Sequence, residues 1–387
     1  MKTPALFTVN AGSSSIKFSI YEAGAEPTEL ARGQISAIGG HSHLTVHLDG
    51  SETTHSEIDT PDHESALHAI LQACEPLLHS HSIAGVGHRV VHGGTQYTAP
   101  VVITNLVLEA LKEYEPLAPL HQPHNLAGIR AARYAFPNAV QVACFDTAFH
   151  RGHPWVNDTF ALPQKYYAQG VRRYGFHGLS YDYITHTLEN QAPELYAGRV
   201  VICHLGNGAS MCAVKNGQSI GSTMGFSALD GLPMGTRCGQ LDPGVLLYLM
   251  EHEGMDAKAI SDLLFKESGL KGLSGISNDM RELEASDAPA ARQAIDYFVF
   301  RIRRELGAMA AVLGGLNGIV FCGGIGENSA HIREEICKDM AWLGITLDAD
   351  ANNDNARDIG AGAVRVMVIP TDEERVIARA TSQALQA

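Results

Sequence analysis

Two short stretches far apart in the chain repeat one local design, and that repeat limits the folds open to it. The run from Leu6 to Val9 suits a buried strand, Ala11-Gly12-Ser13-Ser14-Ser15 supplies a turn of small residues, and Ile16, Phe18 and Ile20 alternate as a half-buried strand. The run from Val200 to Cys203, the loop His204-Leu205-Gly206-Asn207-Gly208-Ala209-Ser210 and a strand from Met211 to Val214 do the same, with Asn216-Gly217 as the next turn. Two similar hairpins roughly 190 residues apart point to a duplicated fold. The length of 387 residues agrees, because single cores stop growing before that size.

A third unit follows, in which Ile319-Val320-Phe321 runs as a strand into a loop, Gly323-Gly324-Ile325-Gly326-Glu327-Asn328, with a helix from near Ser329 carrying Ile332, Ile336 and Met340 on one face. Ile295, Phe298, Val299, Ile302, Leu306 and Met309, at spacings of three and four, predict a core or interface helix. Thr371 followed by Glu374 fits a capping box for a last helix bearing Val376, Ile377 and Leu385. We expect an α/β protein of two duplicated domains with mixed sheets flanked by helices, 1–147 plus 372–387 and 148–371, hinged at His150-Arg151-Gly152-His153-Pro154.

The formal net charge of -14, unbroken by a basic run, argues against nucleic acid and membrane surfaces as partners. An anionic substrate would need a few cations placed in one site. Seven cysteines (Cys74, Cys144, Cys203, Cys212, Cys238, Cys322, Cys337) lack a CxxC pair and sit in apolar stretches, as reduced core thiols do, which fits a cytoplasmic protein. The apolar run from Ala5 to Val9 is too short for a signal-peptide core, and no stretch approaches a membrane span. His41, His43 and His47 could be imagined as metal ligands, but their alternation with Leu44, Val46 and Leu48 makes an exposed hairpin the better account.

The sequence contains no GxxxxGK[ST] loop, HRD or DFG set, HExxH or GxSxG, which leaves P-loop enzymes, protein kinases, zincins and serine hydrolases unsupported. The three Gly/Ser-rich loops remain, and turns of small residues let backbone N–H groups converge on phosphate oxygens. The Gly324-x-Gly326-x-x-Ser329 spacing half-resembles a dinucleotide fingerprint, but no strand with a suitable acidic residue follows it.

Two phosphate-type hairpins in duplicated halves and a later Gly-Gly loop resemble the fold shared by sugar kinases, actin and the Hsp70 ATPase, a ribonuclease H-like architecture with its active site in the interdomain cleft. The resemblance reaches particular residues. Val9-Asn10-Ala11-Gly12-Ser13-Ser14-Ser15-Ile16-Lys17, Gly87-His88-Arg89-Val90-Val91-His92-Gly93-Gly94, Cys144-Phe145-Asp146-Thr147-Ala148-Phe149-His150 and Arg173-Tyr174-Gly175-Phe176-His177-Gly178 look like the acetate kinase family. So do His204-Leu205-Gly206-Asn207-Gly208, Met234-Gly235-Thr236-Arg237, Gly275-Ile276-Ser277-Asn278-Asp279-Met280-Arg281 and the run from Gly323 to Asn328, in the family's order over nearly the whole chain.

The resemblance implies a reversible transfer of the γ-phosphoryl group of ATP to acetate, giving acetyl phosphate and ADP, with Mg2+ or Mn2+ and a homodimer joined through the second domain. It implies that Asn10 and Glu373 help hold the metal, that Lys17 and residues His204, Leu205, Gly206, Asn207 and Gly208 contact phosphates, and that Asp279, Met280, Arg281, Gly324, Ile325, Gly326, Glu327 and Asn328 hold the nucleotide. It implies that Arg89 binds the substrate carboxylate, that His177 and Arg237 steady the transferring phosphoryl, that Val91, Leu120, Phe176 and position 228 line the acyl pocket, and that Asp146 is an acid or base.

Elementary chemistry agrees on the cations and disagrees on the base. Bringing a carboxylate to a terminal phosphate sets anion against anion, and planar guanidiniums such as Arg89 and Arg237 can hold each through paired hydrogen bonds. Acetate is already ionised at neutral pH, with a carboxyl pKa of roughly 4 to 5, so a base has nothing to remove and Asp146 is expected to orient Arg89 or the metal's waters. For Glu373 a plain helix-dipole role stays open.

Four positions depart from the family's pattern. Gln122 stands where it reads Asn and His124 is an extra histidine, Ala228 replaces a proline, and Gln240 replaces an Asp. Val91 favours acetate and Ala228 admits propionate, since a pocket methylene discriminates by only roughly 1 to 3 kcal/mol. A polyol kinase and an ATPase module on the same fold are the alternatives; the first needs a base for a hydroxyl, and the second has no use for Arg89.

Overall fold

The computed structural model describes residues 2–386. The chain separates into two compact units: one runs up to Arg151 and takes in the chain again from Asp372, and the other is Gly152–Thr371.

In the first unit, β1 (Thr3–Ala11) and β2 (Ser15–Glu22) form the expected hairpin, closed by the Gly12 N–H donating to the Ser15 carbonyl at 2.8 Å. Antiparallel β3 (Thr28–Ser36), β4 (Gly40–Leu48) and β5 (Thr54–Thr60) extend it on one side, while β6 (His81–Val90) and β8 (Val140–Phe145) join parallel on the other, with β7 (Val101–Val102) at the edge. Alternation sorts the β1 side chains to two faces. Phe7, Val9 and Ala11 pack with Ala131 and Ala132 of the helix Gln122–Ala135, and Leu6 packs with Ala378 of the C-terminal helix Glu373–Gln386. That last helix lies so close to β6 that a Cβ on Gly87 would stand 2.3 Å from Ile377 Cγ2 and Thr381 Oγ1, so glycine sets its depth.

The second unit repeats the plan. Its sheet runs β11 (Gln218–Ser222), β10 (Ala209–Lys215), β9 (Arg199–Leu205), β12 (Gly318–Cys322), β13 (Arg365–Val368), antiparallel over the first three and parallel from β9 to β13. The order β3-β2-β1-β6-β8 in the first sheet is the same figure. The turn after β10 uses Asn216 and Gly217 at positive φ, as a hairpin with right-twisted strands requires. The helix Pro289–Leu313 buries Ile295, Phe298, Val299, Ile302, Leu306 and Met309, which makes it a core helix of this unit.

Three sequence expectations need correction. Residues Gly323–Asn328 form a short helix rather than a loop, stabilised by the Glu327 carboxylate, which accepts from the Gly323 N–H at 2.8 Å. The cap of the last helix is Asp372, whose Oδ1 accepts from the Arg375 N–H at 2.9 Å; Thr371 instead donates to Ser180 Oγ. Met340 is buried but lies beyond the helix Ala330–Cys337. The histidine-rich stretch is β4 paired with β5: His41 faces Asp59 at 2.6 Å and His43 faces Glu57 at 3.7 Å on the exposed side, while Leu44 and Val46 are buried.

Burial pushes the pKa of His88, whose ring pairs with Gln141 at 2.7 Å, down from 6.5 to about 4, and that of His92, beside Arg151, down to about 3. Both are neutral in the fold and bind protons more readily when unfolded. Their contribution is therefore intact above about pH 6.5 and is lost as pH falls toward 4. Melting temperatures should drop across that window, and His88→Gln should remove part of the slope; an unchanged slope in the variant would contradict this.

Candidate active site

In the first unit the site forms at the strand ends. Asn10 and Lys17 face each other across the β1–β2 hairpin, Arg89 is the penultimate residue of β6, and Asp146 follows β8, its N–H donating to the Val90 carbonyl at 3.1 Å. Parallel neighbours end together, so the side chains at these ends converge. Arg89 Nε donates to Asp146 Oδ1 at 3.0 Å and Nη2 to Oδ2 at 2.7 Å, a two-pronged pair with a buried carboxylate. Arg89 Nη1 donates to Asn10 Oδ1 at 3.3 Å, and Glu373 Oε2 lies 3.8 Å from Nε. Burial opposes the guanidinium's charge, but the Asp146 and Glu373 carboxylates outweigh it and hold its pKa above the ordinary value. Asp146 thus occupies one edge of the fork, and the Nη1–Nη2 end retains protons for another anion.

Val91, two residues on from Arg89, is buried, and Leu120 is half-buried just before the helix Gln122–Ala135. That helix carries Asn125, which the sequence did not mark, and the two departures Gln122 and His124. Asn125 accepts from the Val91 N–H at 3.0 Å and donates to the Ala11 carbonyl at 2.8 Å, tying the segment after β6 to the β1–β2 hairpin. Gln122 accepts from the His92 N–H at 3.3 Å and donates to its carbonyl at 3.1 Å, so the longer amide meets the backbone from both sides. The extra His124 stacks on His63, whose Nε2 is 2.7 Å from the Gly12 carbonyl.

In the second unit the β9–β10 turn is Gly206 to Gly208, with His204 and Leu205 inside β9. A Cβ on Gly208 would lie 3.3 Å from both Arg237 Nη2 and His177 Nε2, which places these two groups against the turn. His177 adopts φ 56, a left-handed conformation uncommon for a non-glycine residue, immediately before the helix Gly178–Gln191. Arg237 Nη1 donates to the Ala228 carbonyl at 2.7 Å, a contact that does not depend on the side chain at 228. Gly235 fits under Asn207, where a Cβ would stand 2.0 Å from Asn207 Oδ1. Phe176 is buried beside His177.

A cavity of about 640 Å3 opens beside this turn. Gly206, Asn207, Asp279, Met280, Arg281, Gly324, Ile325 and Asn328 line it, together with Asn278, Glu284 and Ser329, which carried no predicted role. Gly326 and Glu327 are not part of its lining; Gly326 is buried and the Glu327 carboxylate also accepts from the Thr371 N–H at 3.1 Å. Asp279 caps the helix Met280–Glu284 and pairs with Arg281 at 2.5 Å. A volume of this size suits a nucleotide-sized ligand.

Asn10 and Glu373 offer hard oxygens, the donors Mg2+ prefers when water and substrate phosphates supply the rest of its shell. Among the described residues no group of three or more His, Cys, Asp or Glu is arranged to hold an ion. The donor set therefore fits a metal that arrives largely with its nucleotide.

The profile of the acetokinase family matches residues 5–379. A protein named acetate kinase from Methylocella silvestris is 57% identical over 391 residues, covering 97% of this chain and 96% of that one. Another so named, from Rhodopseudomonas palustris, is 51% identical over 387 residues, 97% of this chain and 96% of the relative. Among solved structures, Porphyromonas gingivalis acetate kinase superposes with a TM-score of 0.89 at 38% identity, covering 99% of this chain and 100% of that chain. A propionate kinase from Francisella tularensis superposes at 0.91 and 34% identity, with the same coverage. This chain belongs to the acetokinase family.

Proposed function

We propose that the chain is an acetate kinase, moving the γ-phosphoryl group of ATP reversibly to acetate to give acetyl phosphate and ADP. The observation that carries this reading is the Arg89 fork: its Nε edge is pinned by Asp146 and its far end keeps protons for a second carboxylate, with buried Val91 two residues on in the chain. A polyol has no carboxylate to take the paired donors left at that far end.

An acetate oxygen attacks the γ-phosphorus in line, the bond to the β,γ-bridging oxygen breaks, and ADP leaves with the electron pair. No proton moves, so Asp146 acts by holding Arg89 and takes no part as a base. The transferring group spreads charge over its equatorial oxygens, and His177 and Arg237 are the donors aimed at it. The nucleotide occupies the 640 Å3 cavity. Mg2+, held by Asn10 and Glu373, would neutralise charge on the phosphates. Acetate is preferred and propionate is slower, in keeping with a propionate kinase among the similar structures.

A homodimer belongs to the same reading. The helix Pro243–Glu251 buries none of its residues and exposes Val245, Leu247, Tyr248 and Met250 around its axis, apolar surface that a second copy would cover. We place the protein in the cytoplasm, where its seven thiols, six of them buried, stay reduced.

Hydroxylamine trapping with MgATP and acetate, propionate, butyrate or glycerol tests the reaction. Acetyl hydroxamate should form fastest, propionyl more slowly, and Val91→Ala should shift the preference toward propionate. ADP release without hydroxamate from any acid would favour the polyol kinase or ATPase module.

A further inference from the structure

The second unit holds two imidazoles in matching settings that the reaction alone does not explain. His177 and His204 stack with ring centroids 4.3 Å apart and an interplanar angle of 24°. Each has its Nδ1 against a serine hydroxyl, His177 on Ser210 and His204 on Ser180, both at 2.8 Å. Each serine meets a second hydroxyl: Thr371 Oγ1 donates to Ser180 Oγ at 2.8 Å, and Tyr181 OH is hydrogen-bonded to Ser210 Oγ. Ser180, Ser210 and Tyr181 are fully buried.

The direction in which each chain of hydroxyls donates sets where the imidazole proton sits. With Thr371 donating to Ser180, the Ser180 proton is left for His204 Nδ1 at 2.8 Å, a nearer and stronger acceptor than Cys322 Sγ at 3.8 Å, and that direction puts the ring's own proton on Nε2. At His177 the outer hydroxyl is a phenol, which burial, reinforced by Cys212, holds well above the usual tyrosine pKa and therefore protonated. Either hydroxyl of that pair can donate, and a phenol that gives its proton to Ser210 sets the same direction. The neighbouring Arg237 guanidinium, against the same point of the turn as His177 Nε2, disfavours a second cation there.

We propose that Ser210 and Tyr181 are positioning residues which hold His177 as the neutral tautomer with its proton on Nε2, aimed past Gly208 at the transferring phosphoryl group. The inference rests on the reading of His177 as a donor in phosphoryl transfer. Without Ser210 the ring is free to turn and to carry its proton on Nδ1, which points a lone pair at phosphoryl oxygens. Protonation to imidazolium restores the Nε2 donor.

Ser210→Ala should lower kcat by ~10- to 100-fold near pH 8, the scale of misplacing one catalytic group, while KM for acetate and ATP stays within about twofold. The deficit should shrink several-fold near pH 6, because the cationic ring donates from both nitrogens. Tyr181→Phe, which keeps the ring, should lose ~2- to 10-fold, the worth of one hydrogen bond. In native protein labelled with 15N-histidine, the His177 resonance, assigned by its absence in His177→Gln, should show a protonated Nε2 and a bare Nδ1. A proton on Nδ1 would overturn the proposal, as would a pH-independent deficit, or kcat within twofold of native in both variants. The spectrum needs no turnover, so a protein inactive on acetate would sink the proposed function and leave the tautomer assignment standing or falling by itself.

Discussion

Arg89→Ala is expected to lower kcat/KM for acetate by roughly a thousandfold, about 4 kcal/mol, as truncating one member of a desolvated, hydrogen-bonded charge pair does. The loss should be concentrated in the acetate term, with KM for ATP near native, because the nucleotide cavity is built from residues of the second unit. Arg89→Lys should recover little of it. A lysine ammonium can meet Asp146 as a point charge, but it cannot pin one edge on Oδ1 and Oδ2 and still present a parallel pair of donors to a second carboxylate. Stability should fall as well, since Asp146 stays buried after losing its guanidinium.

Asp146→Asn separates the two roles that have been open for that residue. An amide offers one oxygen where the carboxylate offers two, so Arg89 loses its fixed attitude, and KM for acetate should rise. If Asp146 were a base, the variant would instead keep its acetate affinity and gain a proton-limited pH profile. Steady-state kinetics across pH with acetate varied decides between these, and an unchanged acetate KM in Arg89→Ala would remove the guanidinium from the carboxylate site altogether.

Much of the fold was legible because its signals are local. Turn chemistry at Gly12 and Asn216-Gly217 and the alternation of Ile16, Phe18 and Ile20 each need only a few neighbouring residues, and the structure places strands there. The glycine content of residues 323–328 misled the reading toward a loop, because the contacts that make it helical come from a side chain four residues along and from Thr371, much farther on. Thr371 looked like a cap for the same reason: Asp372 is as good a cap chemically, and only the Ser180 hydroxyl decides which is used. The site residues marked in advance are those that fall in a family pattern. Those that hold them are joined over distances no motif spans, such as Asn125 to Ala11, 114 residues apart, or His177 to Ser210, 33 apart. Sequence reading could see that Gln122 and His124 were unusual; that one grips the His92 backbone and the other stacks on His63 is tertiary information.

Arg237→Ala should lower kcat by ~100- to 1,000-fold, the cost of removing one donor aimed at developing charge. Arg237 Nη1 is anchored on the Ala228 carbonyl at 2.7 Å, which leaves Nη2 held against Gly208 in the phosphate turn. A group fixed in that way before substrate arrives needs no reordering in the transition state, and its contribution should appear in kcat rather than in nucleotide affinity. Equilibrium binding of ADP should therefore stay within a few-fold of native in the variant. Arg237→Lys restores the charge without the anchor, since one ammonium cannot reach a carbonyl and the phosphoryl group in a fixed geometry, and it should remain at least ~10-fold below native. The neutral His177 of the tautomer proposal sharpens the expectation: with Arg237 gone, the neighbouring imidazole loses the cation that discourages its protonation, and the residual activity should rise on the acid side, where the native protein is expected to show no such rise. A loss of ADP affinity that accounts for the whole defect, with kcat preserved, would make Arg237 a ground-state phosphate ligand and leave the stabilisation of the transferring group to His177 and the metal.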